Sequence, residues 1–195
     1  MDNIVCSNEC IGCGLCKFIC KRNAIYFTED KLGFKIAKID LEKCIKCNMC
    51  KNICPVVGKK QNKSLNDTYL AINKNESMRR NSSSGGVISL LAKNFIENGN
   101  IVVGAAFIDG NLKHIIVDSL DGLKKISGSK YLQSDVQGVF SDILKLVMNK
   151  KILFIGTPCQ VAAIKKIIKN DNLYCIDLIC HGVPSKKFFV KYLDY

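Results

Sequence analysis

The feature that most constrains this chain is a run of four closely spaced cysteines that occurs twice. The runs "CIGCGLCKFIC" and "CIKCNMCKNIC" share the spacing C-x2-C-x2-C-x3-C, and each cysteine of the first recurs 34 residues later. The eight residues are Cys10, Cys13, Cys16, Cys20, Cys44, Cys47, Cys50 and Cys54. Three thiols at three-residue steps can reach three corners of one iron–sulfur cube, whereas structural zinc sites usually take two C-x-x-C pairs separated by a longer loop. The pattern therefore favours iron–sulfur clusters over zinc or a purely structural role.

The spacing resembles that of bacterial two-cluster ferredoxins, in which the fourth cysteine of each run binds the other cluster. On this resemblance, one 4Fe-4S cluster is assigned to Cys10, Cys13, Cys16 and Cys54, and the other to Cys44, Cys47, Cys50 and Cys20. The first run departs from the second at one place, because Lys21 stands where Pro55 follows Cys54. The loss of proline softens that turn but removes no ligand.

The rest of the sequence predicts two domains. Residues 1–58 are expected to form an α+β ferredoxin-like module, with strands at "AIYFTED" and "FKIAKI" around a glycine turn. Residues 59–67 are polar and lysine-rich and are expected to be a linker. Residues 68–195 alternate predicted strands ("TYLAI", "IVVGAAFI", "KHIIVDS", "KILFIG", "LYCIDLIC") with predicted helices ("GGVISLLAKNFIENG", "VQGVFSDILKLVMNK", "CQVAAIKKIIKN", "SKKFFVKYLDY"). This alternation predicts an α/β domain with a mainly parallel sheet.

Composition argues against several classes of protein. The N-terminus "MDNIVCSNEC" lacks the regions of a signal peptide. The longest apolar stretch, "IVVGAAFI", is far shorter than the roughly 20 residues of a membrane span. We therefore expect a cytoplasmic protein, in which the twelve cysteines indicate metal binding instead of a disulfide scaffold. The formal charge is +12, but the excess is mostly dispersed lysine, so we do not expect nucleic-acid binding.

Four loops of the second domain contain candidate binding residues. "NSSSGG" precedes a predicted helix whose N-terminus suits a phosphate, although a serine-glycine cap needs no ligand. "GSKYLQSD" offers a cation, an aromatic ring and polar donors. "GTPCQ" and "CHGVPS" follow consecutive strands, at the edge where doubly wound sheets bind ligands. The candidates are Ser83, Ser84, Gly85, Gly86, Ser129, Lys130, Tyr131, Gln133, Thr157, Pro158, Cys159, Gln160, Cys180 and His181.

The remaining cysteines and histidines favour other roles. Cys6, Cys175 and His114 are expected to be structural. For Cys159 and Cys180 we favour a cofactor site, and the pattern leaves open a further cluster or a pair of reactive or structural thiols.

The stretches "NSSSGGVISLLA", "GSKYLQSD", "IGTPCQVAAIK" and "DLICHGVPS", in this order and after a two-cluster module, resemble the coenzyme F-420 hydrogenase/dehydrogenase beta-subunit family. The resemblance implies FAD in addition to the two clusters. Ser83–Gly86, Ser129–Gln133 and Thr157–Gln160 would then lie on the flavin side. Members of this family usually run well beyond this length, so we expect the second domain to be incomplete at its C-terminus.

The sequence thus predicts an iron–sulfur flavoprotein oxidoreductase subunit. It would pass electrons between 4Fe-4S clusters and a flavin that exchanges hydride with an organic acceptor such as a deazaflavin. Its expected partners are a redox protein or other oxidoreductase subunits, and a small-molecule hydride acceptor or donor. The alternatives are a non-catalytic ferredoxin-like electron-transfer protein that docks a partner, and a redox sensor that uses Cys159 and Cys180. The sequence assigns no catalytic residue.

Overall fold

The computed structural model describes residue 4, residues 9–57 and residues 67–194. The strands are β1 (Ile25–Glu29), β2 (Lys35–Ile39), β3 (Ile101–Ile108), β4 (Asn111–Val117), β5 (Ile152–Gly156) and β6 (Leu173–Asp177). The helices are α1 (Leu15–Ile19), α2 (Met49–Ile53), α3 (Glu76–Arg80), α4 (Val87–Glu97), α5 (Leu120–Ile126), α6 (Phe140–Leu146), α7 (Pro158–Ile167) and α8 (Lys186–Leu193). Among the described residues, none of these helices has the length and apolar character needed to cross a bilayer. Cys6 and most of the predicted linker lie outside the described residues.

Residues 9–57, here called the cysteine region, contain a two-stranded antiparallel sheet between two short helices. β1 and β2 pair in a register that places Ile25 opposite Ile39. The Asp30 carboxylate closes the turn, because it accepts the N–H groups of Leu32 and Phe34 at 2.9 and 2.8 Å. The two predicted strands are confirmed, and the ferredoxin-like fold of the whole module stays a prediction.

Residues 67–194, here called the α/β region, contain a four-stranded sheet in the order β4-β3-β5-β6. β3, β5 and β6 run parallel, as predicted, and α7 crosses between β5 and β6. β4 runs antiparallel to β3. The reason is local, since Asp109 and Gly110 both have positive φ (50° and 69°) and form a two-residue turn that joins antiparallel neighbours.

Helices cover both faces of this sheet. Neighbouring residues of a strand point to opposite faces, so Val102 and Leu153 lie on one face while Val103 and Phe154 lie on the other. The first face packs against α4 and α5 through Ala92, Ile96 and Leu123. The second face packs against α6 and α7 through Phe140, Ile143, Val161, Ala163 and Ile164. The result is a three-layer arrangement with a core on each side of the sheet.

Four segments differ from the sequence expectations. "TYLAI" was predicted to be a strand, but the structure gives it no regular conformation, and Tyr69 and Leu70 are exposed. The backbone N–H of Asn73 instead donates to the carbonyl of Gly85 at 2.7 Å. β6 ends at Asp177, so the last residues of "LYCIDLIC" belong to a loop. α3 and α5 were not predicted, because five and seven residues are too few to show a helical period.

The cysteine region packs directly on the α/β region. Leu15 of α1 is fully buried in the same core as Phe140, and the rings of Phe18 and Phe140 meet edge to face at 5.4 Å. Gly14 approaches so closely that a Cβ there would lie 2.0 Å from Cγ of Gln137. A larger residue before α1 would have to displace the Gln137 side chain, and the left-handed φ of 78° also favours glycine there.

Replacing Phe140 by alanine should lower the free energy of unfolding by about 3–5 kcal/mol, because it opens a cavity where both regions share one core. Urea unfolding followed by circular dichroism under anaerobic conditions measures this. Phe188→Ala is the matched control, since Phe188 is 65% exposed and should change stability by no more than about 0.5 kcal/mol. Equal losses in the two variants would contradict the shared core.

Candidate functional site

The first set of cysteines surrounds a small cavity in the cysteine region. Its thiols are those of Cys10, Cys13, Cys16 and Cys54, and Ile11, Gly12, Gly14 and Pro55 complete the wall. Gly12 and Gly14 have φ of 62° and 78°, which curls the loop around Cys13. Cys54 arrives from the end of α2. The structure therefore brings the fourth cysteine of the second run to the first three of the first run, the crossed arrangement that the sequence predicts.

The environment of these thiols is apolar but contains backbone donors. The pKa of Cys13 is raised to about 11 and that of Cys16 to about 12, mainly by burial and in part by the neighbouring thiols. The amides of Leu15 and Lys17 donate to the two sulfurs and lower these pKa values in part. Free thiols are thus protonated here at neutral pH, and binding of metal would release protons. N–H···S hydrogen bonds of this kind tune the potential of an iron–sulfur cluster.

The second set lies on the more exposed side of the cysteine region. Burial raises the pKa of Cys50, and the thiols of Cys44 and Cys47 raise it further, so the three are neighbours. Cys20 packs against the same small core as Cys44 and Cys50. Amides of Lys46 and Ala24 donate to the sulfurs of Cys44 and Cys20, each at 3.4 Å.

The first set fits a cluster better than a single ion. Among the described residues, no three Cys, His, Asp or Glu side chains converge closely enough to hold one metal ion. The first four thiols line a void instead of meeting at a point. This geometry fits a group whose ligands attach at separate corners.

A cavity of about 550 Å³ lies at the carboxyl edge of β5 and β6. This volume is typical of small-molecule and cofactor sites. The sequence candidates that line it are Ser83, Ser84, Gly85, Gly86, Ser129, Lys130, Tyr131, Gln133, Thr157, Cys159, Gln160, Cys180 and His181. Pro158 is the one candidate outside this lining, and it begins α7. Cys175 lies in β6 and packs partly against the core.

Hydrogen bonds between the loops fix the shape of this cavity. The amide of Ser129 donates to Oγ of Ser83 at 2.8 Å and joins the first two loops. Thr157 caps the start of α7 with a capping box, in which its amide donates to Oε1 of Gln160 at 3.0 Å. Lys130 donates to the carbonyl of Ser127 at 2.7 Å, and burial lowers the pKa of its ammonium group. A half-buried cation therefore faces a cavity with loop hydroxyls and amides.

The cavity and the first set of cysteines share a wall. Ile11, Gly12 and Cys13 line both the small cavity and the large one. Gln133 holds this wall in place, because its Nε2 donates to the carbonyl of Ile11 at 3.1 Å. Gln133 is a cofactor candidate from the sequence, whereas the positions of Ile11 and Gly12 in this wall were not predicted. The glycines on either side of Cys13 were the available signal, since they allow a close approach.

A buried hydrogen-bond chain supports the same edge of the sheet. His114 donates from Nε2 to the carbonyl of Ile155 at 3.1 Å, so its Nδ1 accepts from Oγ of Ser134 at 3.2 Å. Ser134 in turn accepts from Nε2 of Gln160 at 2.8 Å. His114 is 4% exposed and stacks on Phe154 at 5.2 Å. It has the structural role that the sequence indicates, although Ser134 was not expected to join it.

Comparison with known proteins identifies the family. A family model described as 4Fe-4S dicluster domain matches residues 9–57. Models for coenzyme F420 hydrogenase/dehydrogenase, beta subunit, match residues 68–141 with the N-terminal part and residues 149–195 with the C-terminal part. The chain belongs to the coenzyme F420 hydrogenase/dehydrogenase beta-subunit family. It also carries a 4Fe-4S dicluster domain, and both findings confirm the resemblances drawn from the motifs.

Two similar proteins are longer than this chain. An uncharacterized protein of Methanocaldococcus jannaschii is 27% identical over an alignment of 199 positions, gaps included, which covers 85% of this chain and 54% of the relative. A chain of the F420-reducing NiFe hydrogenase complex from Methanosarcina barkeri superposes with a TM-score of 0.55 at 17% identity, over 65% of this chain and 49% of that one. The similarity to the hydrogenase chain is a similarity of fold alone. The chain spans about half the length of both proteins.

The crossed assignment predicts that Cys54→Ser removes the same cluster as Cys13→Ser. Each variant should lose about half of the iron, and the cluster that remains should give the same EPR spectrum after reduction in both. Cys47→Ser should leave the other cluster and a different spectrum. Cys175→Ser is the control and should keep all of the iron. A Cys54→Ser spectrum that matches Cys47→Ser instead would contradict the crossing.

His114 should stay neutral well below pH 6. Burial lowers its pKa from 6.5 to about 4, against the opposing effects of the Ile155 carbonyl and Asp135. Because the unfolded chain binds the proton first, stability should fall as pH drops from about 6.5 toward 4, by roughly 3 kcal/mol in all. Ring ¹⁵N shifts measure the titration, and His114→Gln assigns them, since the chain has only two histidines. A midpoint near 6.5 would contradict the buried chain.

Proposed function

We propose that this chain is the electron-transferring part of an iron–sulfur flavoprotein oxidoreductase. Two 4Fe-4S clusters would be held by the eight cysteines, and a flavin would occupy the large cavity. A bound flavin supplies the exchange between one-electron chemistry and hydride transfer to an organic acceptor, such as a deazaflavin. The observation that carries the proposal is the wall shared by the first cysteine set and the cavity, formed by Ile11, Gly12 and Cys13.

The shared wall determines what this chain contributes to the proposed reaction. Ile11, Gly12 and Cys13 separate the two sites by a single loop, so no further relay is needed between them. Gln133 keeps the loop seated, and Leu15 anchors it in the core. The protein thus contributes distance, orientation and exclusion of water, which are the usual contributions of a protein to cofactor chemistry.

The cavity residues fit a flavin with a phosphate-bearing tail. α4 begins just after Gly86, and backbone N–H groups at a helix start favour an anion. Ser83 and Ser84 stand beside that start, and Lys130 adds a cation from the next loop. Together these are the groups that would bind phosphate, while Leu112, Leu123, Ile126 and Ile155 supply apolar surface for a ring.

A second function, that of a non-catalytic electron-transfer protein, is favoured by one observation. Cys47, Ile45 and Met49 are exposed, so a cluster in the second set would be open to a partner without any flavin. This function predicts two intact clusters and no flavin binding.

Flavin content after anaerobic purification and iron–sulfur reconstitution decides between the two. About one FAD per chain is expected for the oxidoreductase. Lys130→Met should weaken flavin binding about tenfold in a fluorescence titration, because a hydrogen bond to a charged group is lost. Lys125→Met, an exposed change at the end of α5, should leave it unchanged. Full iron content without flavin binding would reject the flavoprotein proposal.

A further inference from the structure

A cation stands next to every ligand proposed for the second cluster. Lys21 follows Cys20, Lys43 precedes Cys44, Lys46 precedes Cys47, and Lys51 follows Cys50. In the first set only Cys16 has such a neighbour, Lys17. The two runs share one cysteine spacing, so their ligand chemistry does not account for the difference. The basic residues are concentrated around one set of ligands.

The surroundings of the second set are also exposed. Residues 41–49 lie at the surface, with Cys44 half-buried. Leu41, Ile45 and Met49 are 56%, 62% and 40% exposed. Glu42 is the one acidic residue in the sequence from 41 to 54, against three lysines. The first set differs, since Cys16 is buried and its loop faces the α/β region.

We propose that residues 41–49 together with Lys21, here called the second-cluster face, dock an acidic one-electron carrier protein. The proposal rests on the proposed function only in requiring a cluster at the second set. Lysines around a small apolar centre suit a transient redox encounter, in which complementary charge speeds association and the contact area stays small. In each encounter the reduced carrier loses one electron and the cluster gains it. No bond forms or breaks, and no proton is needed.

The competing explanation is that these lysines only offset the negative charge of a cluster with four thiolates. That role would act on cluster stability and potential. It would not slow electron transfer from an acidic protein more in a variant of this face than in a variant with the same charge change elsewhere, because the partner would then dock at another surface. Comparing the two variants across ionic strength therefore separates the two explanations.

The test mixes the reconstituted protein with a reduced, acidic plant-type 2Fe-2S ferredoxin in a stopped-flow instrument. The second-order rate constant of cluster reduction is measured across ionic strength. For the wild-type chain it should fall as salt rises. The double variant Lys21→Glu/Lys46→Glu should be at least about tenfold slower at low salt and should approach the wild type at high salt. Lys43 is left alone, because it is paired with Asp40 at 2.9 Å.

The control carries the same change of net charge elsewhere. Lys150 and Lys169 are exposed and lie beside the start of β5 and the end of α7, at the sheet edge opposite the cavity. Lys150→Glu/Lys169→Glu should stay within about twofold of the wild type, because only its distant field changes. Iron content and reduction by dithionite verify that each variant keeps its clusters. If Lys21→Glu/Lys46→Glu loses iron, the milder Lys21→Gln/Lys46→Gln takes its place, with an expected slowing of about threefold.

Equal slowing in the two glutamate variants, or a wild-type rate that ignores salt, would overturn the proposal. The second result would also fit a face covered by another copy or by other polypeptide. The readout is cluster reduction, so absence of flavin leaves it intact. A chain that never binds iron at the second set would instead refute the proposed function.

Discussion

The crossing of Cys54 to the first three cysteines is the constraint on which the cysteine region depends. It ties the end of α2 to the loop before α1, and so closes a region with a small core cluster of its own, in which the buried residues are Cys16, Ile25, Ala37 and Ile39 together with Ile4. A core of this size supplies little stability by itself. Cluster binding and folding should therefore be coupled here, as they are in other small metal-binding domains.

The segment 133–137 transmits this arrangement to the cavity. Asp135 pairs with Lys113 in an isolated parallel bridge beside β4, and a short 3-10 helix begins at Gln137. Three side chains of the segment meet the cysteine region. Gln133 donates to the Ile11 carbonyl, Asp135 pairs with Lys35 at 3.2 Å, and Gln137 lies against Gly14. Ser134, between them, points the other way into the chain of His114 and Gln160. One short segment thus positions both the cluster loop and the cavity floor.

Much of the fold and of the candidate site was predictable from local sequence patterns, and the remaining features depend on contacts between residues far apart in the sequence. The cysteine spacing, the apolar strand "IVVGAAFI" and the loops after β5 and β6 are set by nearby residues, and their positions follow from the sequence. "TYLAI" has the composition of a strand, but β propensity acts only when a neighbouring strand is present, and in the described structure it has none. The contact from Gln133 to Ile11 joins residues 122 positions apart. Sequence periodicity does not predict contacts between residues so far apart. The role of Ser134 could not be predicted for the same reason.

The two cysteine runs have the same loop conformation but different surroundings. Lys46 and Asn48 occupy the places of Gly12 and Gly14 in the repeat, and they adopt the same left-handed conformation, with φ of 56° and 59° against 62° and 78°. The loop conformation therefore does not require glycine. The neighbours favour it, because a Cβ on Gly12 would lie 3.2 Å from both the Lys35 carbonyl and Nε2 of Gln133, and one on Gly14 would displace the Gln137 side chain. The two glycines let the first run pack closely against the α/β region. In the second run the same places are exposed, and they hold a lysine and an asparagine at a small cost in backbone strain. Packing thus turns the first set of cysteines toward the cavity and leaves the second set on the more exposed side.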